Sequence, residues 1–246
     1  MSVSGTQNKA CCTLPPVEAQ YIPKGTLKQV AGLKSYVVGP ENADKAVLFV
    51  YDIFGLSPQA QQGADLIASQ DFYVVVPDFL KGEYATGDMF SGTEEGNKKK
   101  EKFFGGFPGA ISSQSKPVAD VTAELSSKYK LGGIGVCWGY KVLVTSEGVG
   151  NFKALSGAHP SFPANDDADK INVPLLLLPS QNEDMSVMNH IYEAVEKTNP
   201  GNNRLRQFAQ WHHGWMGARA NLSDEGNAKA FHEGYTEVAD FFKKHL

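Results

Sequence analysis

The feature that most constrains the fold is a cysteine flanked by glycines, between an apolar run and a helix-forming segment. Residues 132–140 read Gly-Gly-Ile-Gly-Val-Cys-Trp-Gly-Tyr, and no further glycine or proline follows until Gly148. Gly135 and Gly139 would avoid the Cβ clashes that a sharp strand-to-helix bend otherwise causes. The pattern therefore predicts a nucleophile elbow, in which the Cys137 side chain faces the N-terminus of a helix.

A cysteine at such a turn is suited to nucleophilic catalysis, because free helix N–H groups and the positive end of the helix dipole favour its thiolate. A thiol with an ordinary pKa of about 8.5 is only a few per cent thiolate at neutral pH, so a base is needed. His212 and His213 stand downstream. We favour His213, which directly precedes Gly-Trp, and keep His212 as the alternative. The competing interpretation of Cys137 is an inert, buried small hydrophobe.

Apolar runs and helical patterns alternate along the chain. Strands are predicted at residues 46–51, 72–76, 134–136, 152–155, 173–178 and 205–208. Helices are predicted from Pro58 to residue 67, from Pro117, and over a C-terminal segment with an apolar stripe at Phe231, Tyr235, Val238 and Phe242. This alternation predicts an α/β fold, a mostly parallel sheet with helices on both faces, as a single domain over residues 1–246. Residues 1–30 are expected to be irregular or short-stranded.

Four chemically active side chains follow predicted strands, where functional groups of an open parallel sheet collect. They are Asp52, Cys137, Asp184 and His213. The order nucleophile, acid, histidine is the one that α/β-hydrolases use. We expect Cys137 to attack, His213 to act as base, and Asp184 to orient the imidazole. In the alternative, Glu183 is the acid and Asp184 caps a helix that begins at residue 185.

Backbone N–H groups of Trp138 and Ile53 are the expected donors to the oxyanion that forms on a substrate carbonyl. Trp138 would open the helix after the elbow, and Ile53 follows the first long strand. Residues 81–115 form a long Gly- and Ser-rich insertion, which predicts either a lid or pocket wall or a solvated loop with a short helix. Its lysine-rich stretch, residues 98–102, is most simply a solvated helix face.

Composition excludes several classes of function. The net charge of −4 and only three arginines argue against nucleic-acid binding and against an arginine-lined phosphate site. We expect neither a signal peptide nor a membrane span, and three cysteines do not form a disulfide framework, so a cytoplasmic protein is expected. No metal-ligand spacing appears, and the glycines near residue 135 lack the acidic partner of a dinucleotide site. No metal or cofactor is expected.

Taken together, the motifs resemble the dienelactone hydrolase family of α/β-hydrolases. The resemblance spans roughly residues 45–220 and rests, in chain order, on the segments at residues 47–55, 75–79, 135–139 and 157–161, on Asp184, and on the segment at residues 213–215. In addition, residues 10–12 and 21–25 resemble fungal-type members of the family.

This resemblance implies a triad of Cys137, His213 and Asp184 that hydrolyses a small ester or lactone through an acyl-cysteine. It also implies that Asp52 is a carboxylate that helps to generate the thiolate, and that Trp215 and Arg219 contact the substrate. The bacterial pattern has glutamate in place of Asp52 and an additional arginine before the elbow, which this chain lacks. A monomer or homodimer is expected. The alternative is a non-enzymatic protein of the same fold that binds a small molecule or a partner.

Overall fold

The structure, a computed structural model, describes residues 15–246 as an eight-stranded sheet and six α-helices. The strands are β1 (Thr26–Val30), β2 (Leu33–Val38), β3 (Lys45–Val50), β4 (Tyr73–Pro77), β5 (Lys130–Val136), β6 (Ala154–Ala158), β7 (Leu175–Leu178) and β8 (Arg204–Leu205). The helices are α1 (Pro58–Ala68), α2 (Glu94–Gly105), α3 (Ser115–Ser126), α4 (Trp138–Thr145), α5 (Met185–Thr198) and α6 (Glu225–His245). Cys11 and Cys12 lie outside the described residues.

The strand order is β1-β2-β4-β3-β5-β6-β7-β8. Only β1 with β2 and β2 with β4 pair antiparallel, and the five remaining pairs are parallel. The central strands β4 and β7 are buried at every residue, as expected where helices cover both faces of a parallel sheet. The predicted α/β class with a mostly parallel sheet is therefore confirmed.

Glycines of β5 show which helix covers each face. A Cβ on Gly132 would meet Phe242 of α6, whereas one on Gly135 would meet the backbone of Tyr140 in α4. Residues at odd spacing in a strand point to opposite faces, so α6 and α4 cover opposite faces of β5. The elbow helix thus packs on one side of the central strand, and the C-terminal helix supports the other side.

The first antiparallel strands and some boundaries differ from the sequence-based expectation. The strand β2 was not predicted, and β1 falls at the end of the expected lead-in; Lys34 and Ser35 interrupt the apolar run of β2. α3 begins at Ser115, before Pro117. β8 has only two residues, although an isolated bridge between Ser180 and Phe208 extends its course.

The insertion at residues 81–115 is anchored at its end. Gln114 donates through Nε2 to the carbonyls of Phe79 (3.0 Å) and Pro108 (2.6 Å). Lys98 and Lys99 of α2 are exposed and pair with acidic neighbours, as Lys98 does with Glu94 at 2.6 Å, so this part of the helix forms a solvated face. Among residues 15–246, no helix is both long and apolar enough to cross a membrane.

Candidate active site

Cys137 occupies a strained turn between β5 and α4. Its φ of 56° and ψ of −116° lie where a side chain is rarely tolerated, and the neighbouring glycines explain how the turn fits. A Cβ on Gly135 would lie 2.4 Å from the backbone nitrogen of Tyr140, and one on Gly139 would lie 2.2 Å from the carbonyl oxygen of Val50. The predicted elbow geometry is therefore present, with the sulfur at its tip.

An imidazole lies beside this sulfur. The Nε2 atom of His213 is 3.2 Å from Cys137 Sγ, and its Nδ1 atom is 2.7 Å from Glu183 Oε1. A carboxylate oxygen only accepts, so Nδ1 carries a proton, which leaves the Nε2 of a neutral ring as an acceptor for the thiol proton. The neighbouring His212 instead places its Nδ1 2.9 Å from the carbonyl of His213. His213 thus has the geometry of a base, and His212 does not.

The expected role of Asp184 as the acid of the triad is wrong, because the carboxylate that contacts the His213 imidazole belongs to Glu183. Asp184 is exposed and caps α5, accepting hydrogen bonds at Oδ1 from the backbone N–H (2.9 Å) and the hydroxyl (2.7 Å) of Ser186. These hydrogen bonds lower the pKa of Asp184, since they favour its charged form. A carboxylate committed to a helix N-terminus cannot also orient a buried imidazole.

Glu183 is held rigidly behind the imidazole. Its second oxygen, Oε2, accepts from the backbone N–H of Ser180, and the Asn182 side-chain oxygen accepts from the backbone N–H of His213 at 2.8 Å. The side chains of Glu183 and His213 are fully buried. Each partner is fixed from outside the pair, so little reorganisation is needed when the ring takes up a proton.

The two expected oxyanion donors lie on neighbouring segments. Trp138 is the first residue of α4, where a backbone N–H has no acceptor within the helix. Gly139 packs against the carbonyls of Val50 and Tyr51, so the start of α4 abuts the end of β3, shortly before Ile53. The fold brings the Trp138 and Ile53 segments together, and their role as donors stays a prediction.

Asp52 is buried and joins two loops. Its Oδ1 accepts from the Phe54 N–H at 2.9 Å, and its Oδ2 accepts from the Ala218 N–H at 2.8 Å. A Cβ on Gly217 would lie 2.3 Å from the same Oδ2, so the second loop approaches this carboxylate closely. Both contacts are structural, and the expected participation of Asp52 in forming the thiolate stays a prediction.

The two residues expected to contact the substrate are placed differently. Arg219 is buried with its guanidinium over the ring of Phe54, 4.9 Å from the centroid, so its substrate contact stays a prediction. Trp215 stacks on Phe208 at 4.2 Å and lies against Gly234 of α6. This position in the hydrophobic core gives Trp215 a packing role, and its expected substrate contact stays a prediction.

Ser161 is the site residue for which the sequence analysis assigned no role. Its Oγ lies 3.1 Å from Cys137 Sγ and 3.3 Å from His213 Nε2. It lies two residues after His159, whose ring meets that of His213 edge-on at 4.8 Å. The signal was available, because residues 157–161 follow a predicted strand whose end points to the same edge of the sheet.

No three His, Cys, Asp or Glu side chains within residues 15–246 converge as metal ligands. This arrangement allows a proton to move from Cys137 Sγ to His213 Nε2. The Glu183 carboxylate then stabilises the positive charge on the imidazolium. These are the requirements of a covalent thiol mechanism.

The chain is similar to known proteins both in sequence and in fold. A model of the dienelactone hydrolase family matches residues 33–246. The chain is 37% identical over 226 residues to an uncharacterized AIM2 family protein of Schizosaccharomyces pombe, with 88% of this chain and 89% of that protein covered. It is 22% identical over 235 residues to a carboxymethylenebutenolidase homolog of Mus musculus, with 89% and 90% covered. A crystal structure of a dienelactone hydrolase from Anabaena variabilis has the same fold, with a TM-score of 0.62, 17% identity, and 93% and 100% of the two chains covered.

Proposed function

Because this chain belongs to the dienelactone hydrolase family, we propose that it hydrolyses small esters or lactones through an acyl-cysteine intermediate. The observation that carries the proposal is the buried line of Cys137 Sγ, His213 and Glu183, with contacts of 3.2 Å and 2.7 Å. A protein that only binds its ligand has no chemical need for a nucleophile, a base and an orienting acid in this order.

In the proposed first half-reaction, the thiol proton moves to His213 Nε2 and the sulfur attacks the substrate carbonyl carbon. The carbonyl oxygen becomes an oxyanion, facing the N–H groups of Trp138 and Ile53. The C–O bond to the leaving alkoxide then breaks, and Nε2 returns the proton to that oxygen. Glu183 stabilises the imidazolium while it exists. A lactone would stay attached through its acyl end, whereas a simple ester would release an alcohol.

In the second half-reaction, His213 Nε2 takes a proton from water, whose oxygen attacks the thioester carbonyl. The C–S bond breaks, the sulfur recovers the proton, and a carboxylic acid leaves. A lactone would thus yield a hydroxy acid, or its keto form where the product is an enol. No step requires a metal or a redox partner.

The surroundings favour a compact substrate. Only 1% of Cys137 is exposed. Phe104 of the insertion packs beside the loop that follows β6, and Phe103 packs against Phe104. The buried guanidinium of Arg219 is the charged group that we propose for a substrate carboxylate, in line with the family resemblance. The bacterial family pattern has a second arginine, which this chain lacks. With one arginine only, we expect a substrate carboxylate to strengthen binding without being required for it.

The direct test is turnover of a chromogenic short-chain ester by wild-type protein and single variants. We expect Cys137→Ala and His213→Ala to abolish turnover, and His212→Ala, the matched histidine control, to retain it. A panel of lactones and aryl esters with and without a carboxylate would then define the substrate class. Equal turnover by the wild type and the two site variants, each with an unchanged circular dichroism spectrum, would contradict the proposal.

A further inference from the structure

The sulfur of Cys137 has a second polar neighbour besides the imidazole. Sγ lies 3.1 Å from Ser161 Oγ and 3.2 Å from His213 Nε2, and those two atoms are 3.3 Å apart. The three atoms form a nearly equilateral triangle that is closed to solvent, since all three residues are at most 1% exposed. The triad assigns a function to Cys137 and His213 but none to the hydroxyl of Ser161.

The positions of the protons in the site indicate which atom accepts the hydrogen bond from the Ser161 hydroxyl. Glu183 fixes the ring proton on Nδ1, so a neutral His213 can only accept at Nε2. When the thiol proton has moved to Nε2, the imidazolium donates to the sulfur, and the sulfur carries a full negative charge. The Ser161 hydroxyl then finds its strongest acceptor in that sulfur, because hydrogen bonds to an ionised group are stronger than neutral ones.

The backbone holds this hydroxyl in place. The Ser161 N–H donates to the carbonyl of Cys137 itself at 3.0 Å, and the His159 N–H donates to the carbonyl of Leu178 at 2.9 Å. The nearby residues His159 and Phe162 have positive φ values of 35° and 56°. Residues other than glycine rarely adopt such angles, so tertiary contacts must hold this loop in its conformation. The backbone of Ser161 is therefore tied to the residue that carries the sulfur, which keeps the serine side chain beside it.

We infer that Ser161 is a positioning residue whose hydroxyl donates to the Cys137 sulfur and stabilises the reactive thiolate. This inference rests on the proposed function, because it assumes that Cys137 reacts as a thiolate. A donor that prefers the charged form lowers the pKa of the group that accepts. Once the sulfur is acylated, its acceptor strength falls, so the hydroxyl contributes to forming the nucleophile rather than to releasing the product.

Other ionisable groups surround the sulfur and remain unchanged in a Ser161 variant. The segments packed around it carry His159, His213, Glu183, Asp52, Arg219, Tyr140 and Lys141, of which Lys141 pairs with Asp167. A difference in thiol titration between wild type and variant is therefore assigned to the hydroxyl. A suitable control is Ser156 in β6, which is also buried and whose hydroxyl makes no hydrogen bond within the described residues.

The test measures the rate of Cys137 alkylation by iodoacetamide against pH in wild type, Ser161→Ala and Ser156→Ala. We expect the midpoint of the profile to rise by about one pH unit in Ser161→Ala, a tenfold change in the thiolate equilibrium. Ser156→Ala should keep the wild-type midpoint, and Ser161→Thr, which keeps the hydroxyl, should restore it. The thiolate absorbance near 240 nm, a general property of thiolates, gives a second readout of the same titration.

An unchanged midpoint in Ser161→Ala, with an unchanged melting transition, would overturn the inference, and so would an equal shift in Ser156→Ala. If Ser161→Ala fails to fold, Ser161→Cys, which offers a weaker donor at the same place, should show a smaller upward shift; no shift would overturn the inference. The alkylation assay needs no substrate. Wild-type protein that turned over no ester would therefore refute the proposed function through a separate measurement.

Discussion

At the residue scale, Glu183 and Asp184 are adjacent in sequence but have different roles, because the backbone directs their side chains to different places. Glu183 and Asp184 both follow β7, yet one reaches His213 Nδ1 at 2.7 Å and the other caps α5. Glutamate has the extra methylene that lets the first carboxylate turn inward, while the second lies at the helix start, where aspartate is a preferred cap. A single step along the chain thus separates the acid of the site from a structural cap.

Exchanging each carboxylate for its amide tests this assignment. We expect Glu183→Gln to lower kcat about 10³- to 10⁴-fold, because an amide holds the wrong imidazole tautomer and cannot balance the imidazolium charge. Asp184→Asn should leave kcat within a factor of about two, since asparagine is an equally good helix cap. Ester turnover by the two purified variants is the measurement. A larger loss in Asp184→Asn than in Glu183→Gln would reverse the assignment.

At the element scale, a buried ion pair joins the elbow helix to the loop that carries Ser161. Lys141 Nζ of α4 lies 2.5 Å from Asp167 Oδ1, with side chains only 3% and 0% exposed. The other Asp167 oxygen accepts from the Ala164 N–H at 3.1 Å. Burial raises the pKa of Asp167, although Lys141 favours its charged form. The pair fixes the position of this loop relative to α4.

Removing the lysine should therefore destabilise the protein in a pH-dependent way. We expect Lys141→Met to lower the free energy of unfolding by about 3 kcal/mol near neutral pH, because it removes the close partner of a buried carboxyl. The other cation beside Asp167, Lys170, is 3.9 Å away and partly exposed, so it compensates little. A carboxyl whose pKa is raised by folding binds more protons in the native state, so this loss should grow as pH rises above about 4 and shrink below it.

Urea unfolding at pH 4 and pH 7.5 would measure the effect. The control is the double variant Lys141→Met with Asp167→Asn, which buries no charge and keeps an acceptor for Ala164; we expect it to recover most of the lost stability. Equal destabilisation by the single variant at both pH values would argue against a charge effect.

At the scale of the whole molecule, the insertion between β4 and α3 lies over the site. Phe104 of α2 meets Phe103 edge-on at 5.1 Å and Phe162 at 5.8 Å, and Phe162 directly follows Ser161. Trp138 donates through its ring nitrogen to the carbonyl of Gly109 at 2.9 Å. Because Cys137 is only 1% exposed, the substrate that we propose would enter by local movement of the packed segments.

Loosening this packing should expose the thiol more often. We expect Phe104→Ala to increase the rate of iodoacetamide reaction at Cys137 severalfold, because α2 loses an aromatic anchor above the Ser161 loop. Glu101→Ala, an exposed change on the same helix, should react at the wild-type rate. Identical rates for all three proteins would show that access does not depend on α2.

Much of this molecule follows from local patterns in its sequence. The apolar runs locate the central parallel strands, and the glycines around Cys137 predict the elbow, because both depend on neighbouring residues. The choice of Glu183 over Asp184 does not follow, since both are acids after the same strand and only the tertiary path distinguishes them. Ser161 was also missed. Its position after a predicted strand was visible in the sequence, but its contact with the sulfur and the imidazole depends on how distant loops meet.

The bond from the Trp138 ring to Gly109 has a consequence for how this protein can diverge. One amino acid supplies both the proposed oxyanion N–H and the attachment point of the covering insertion. Its partner in the insertion is a main-chain oxygen, which any residue type provides. Relatives can therefore exchange most side chains of the insertion, and such exchanges would change the shape of the substrate site that we propose. The length and the backbone conformation of the insertion near residue 109 would stay constrained by the bond to Trp138.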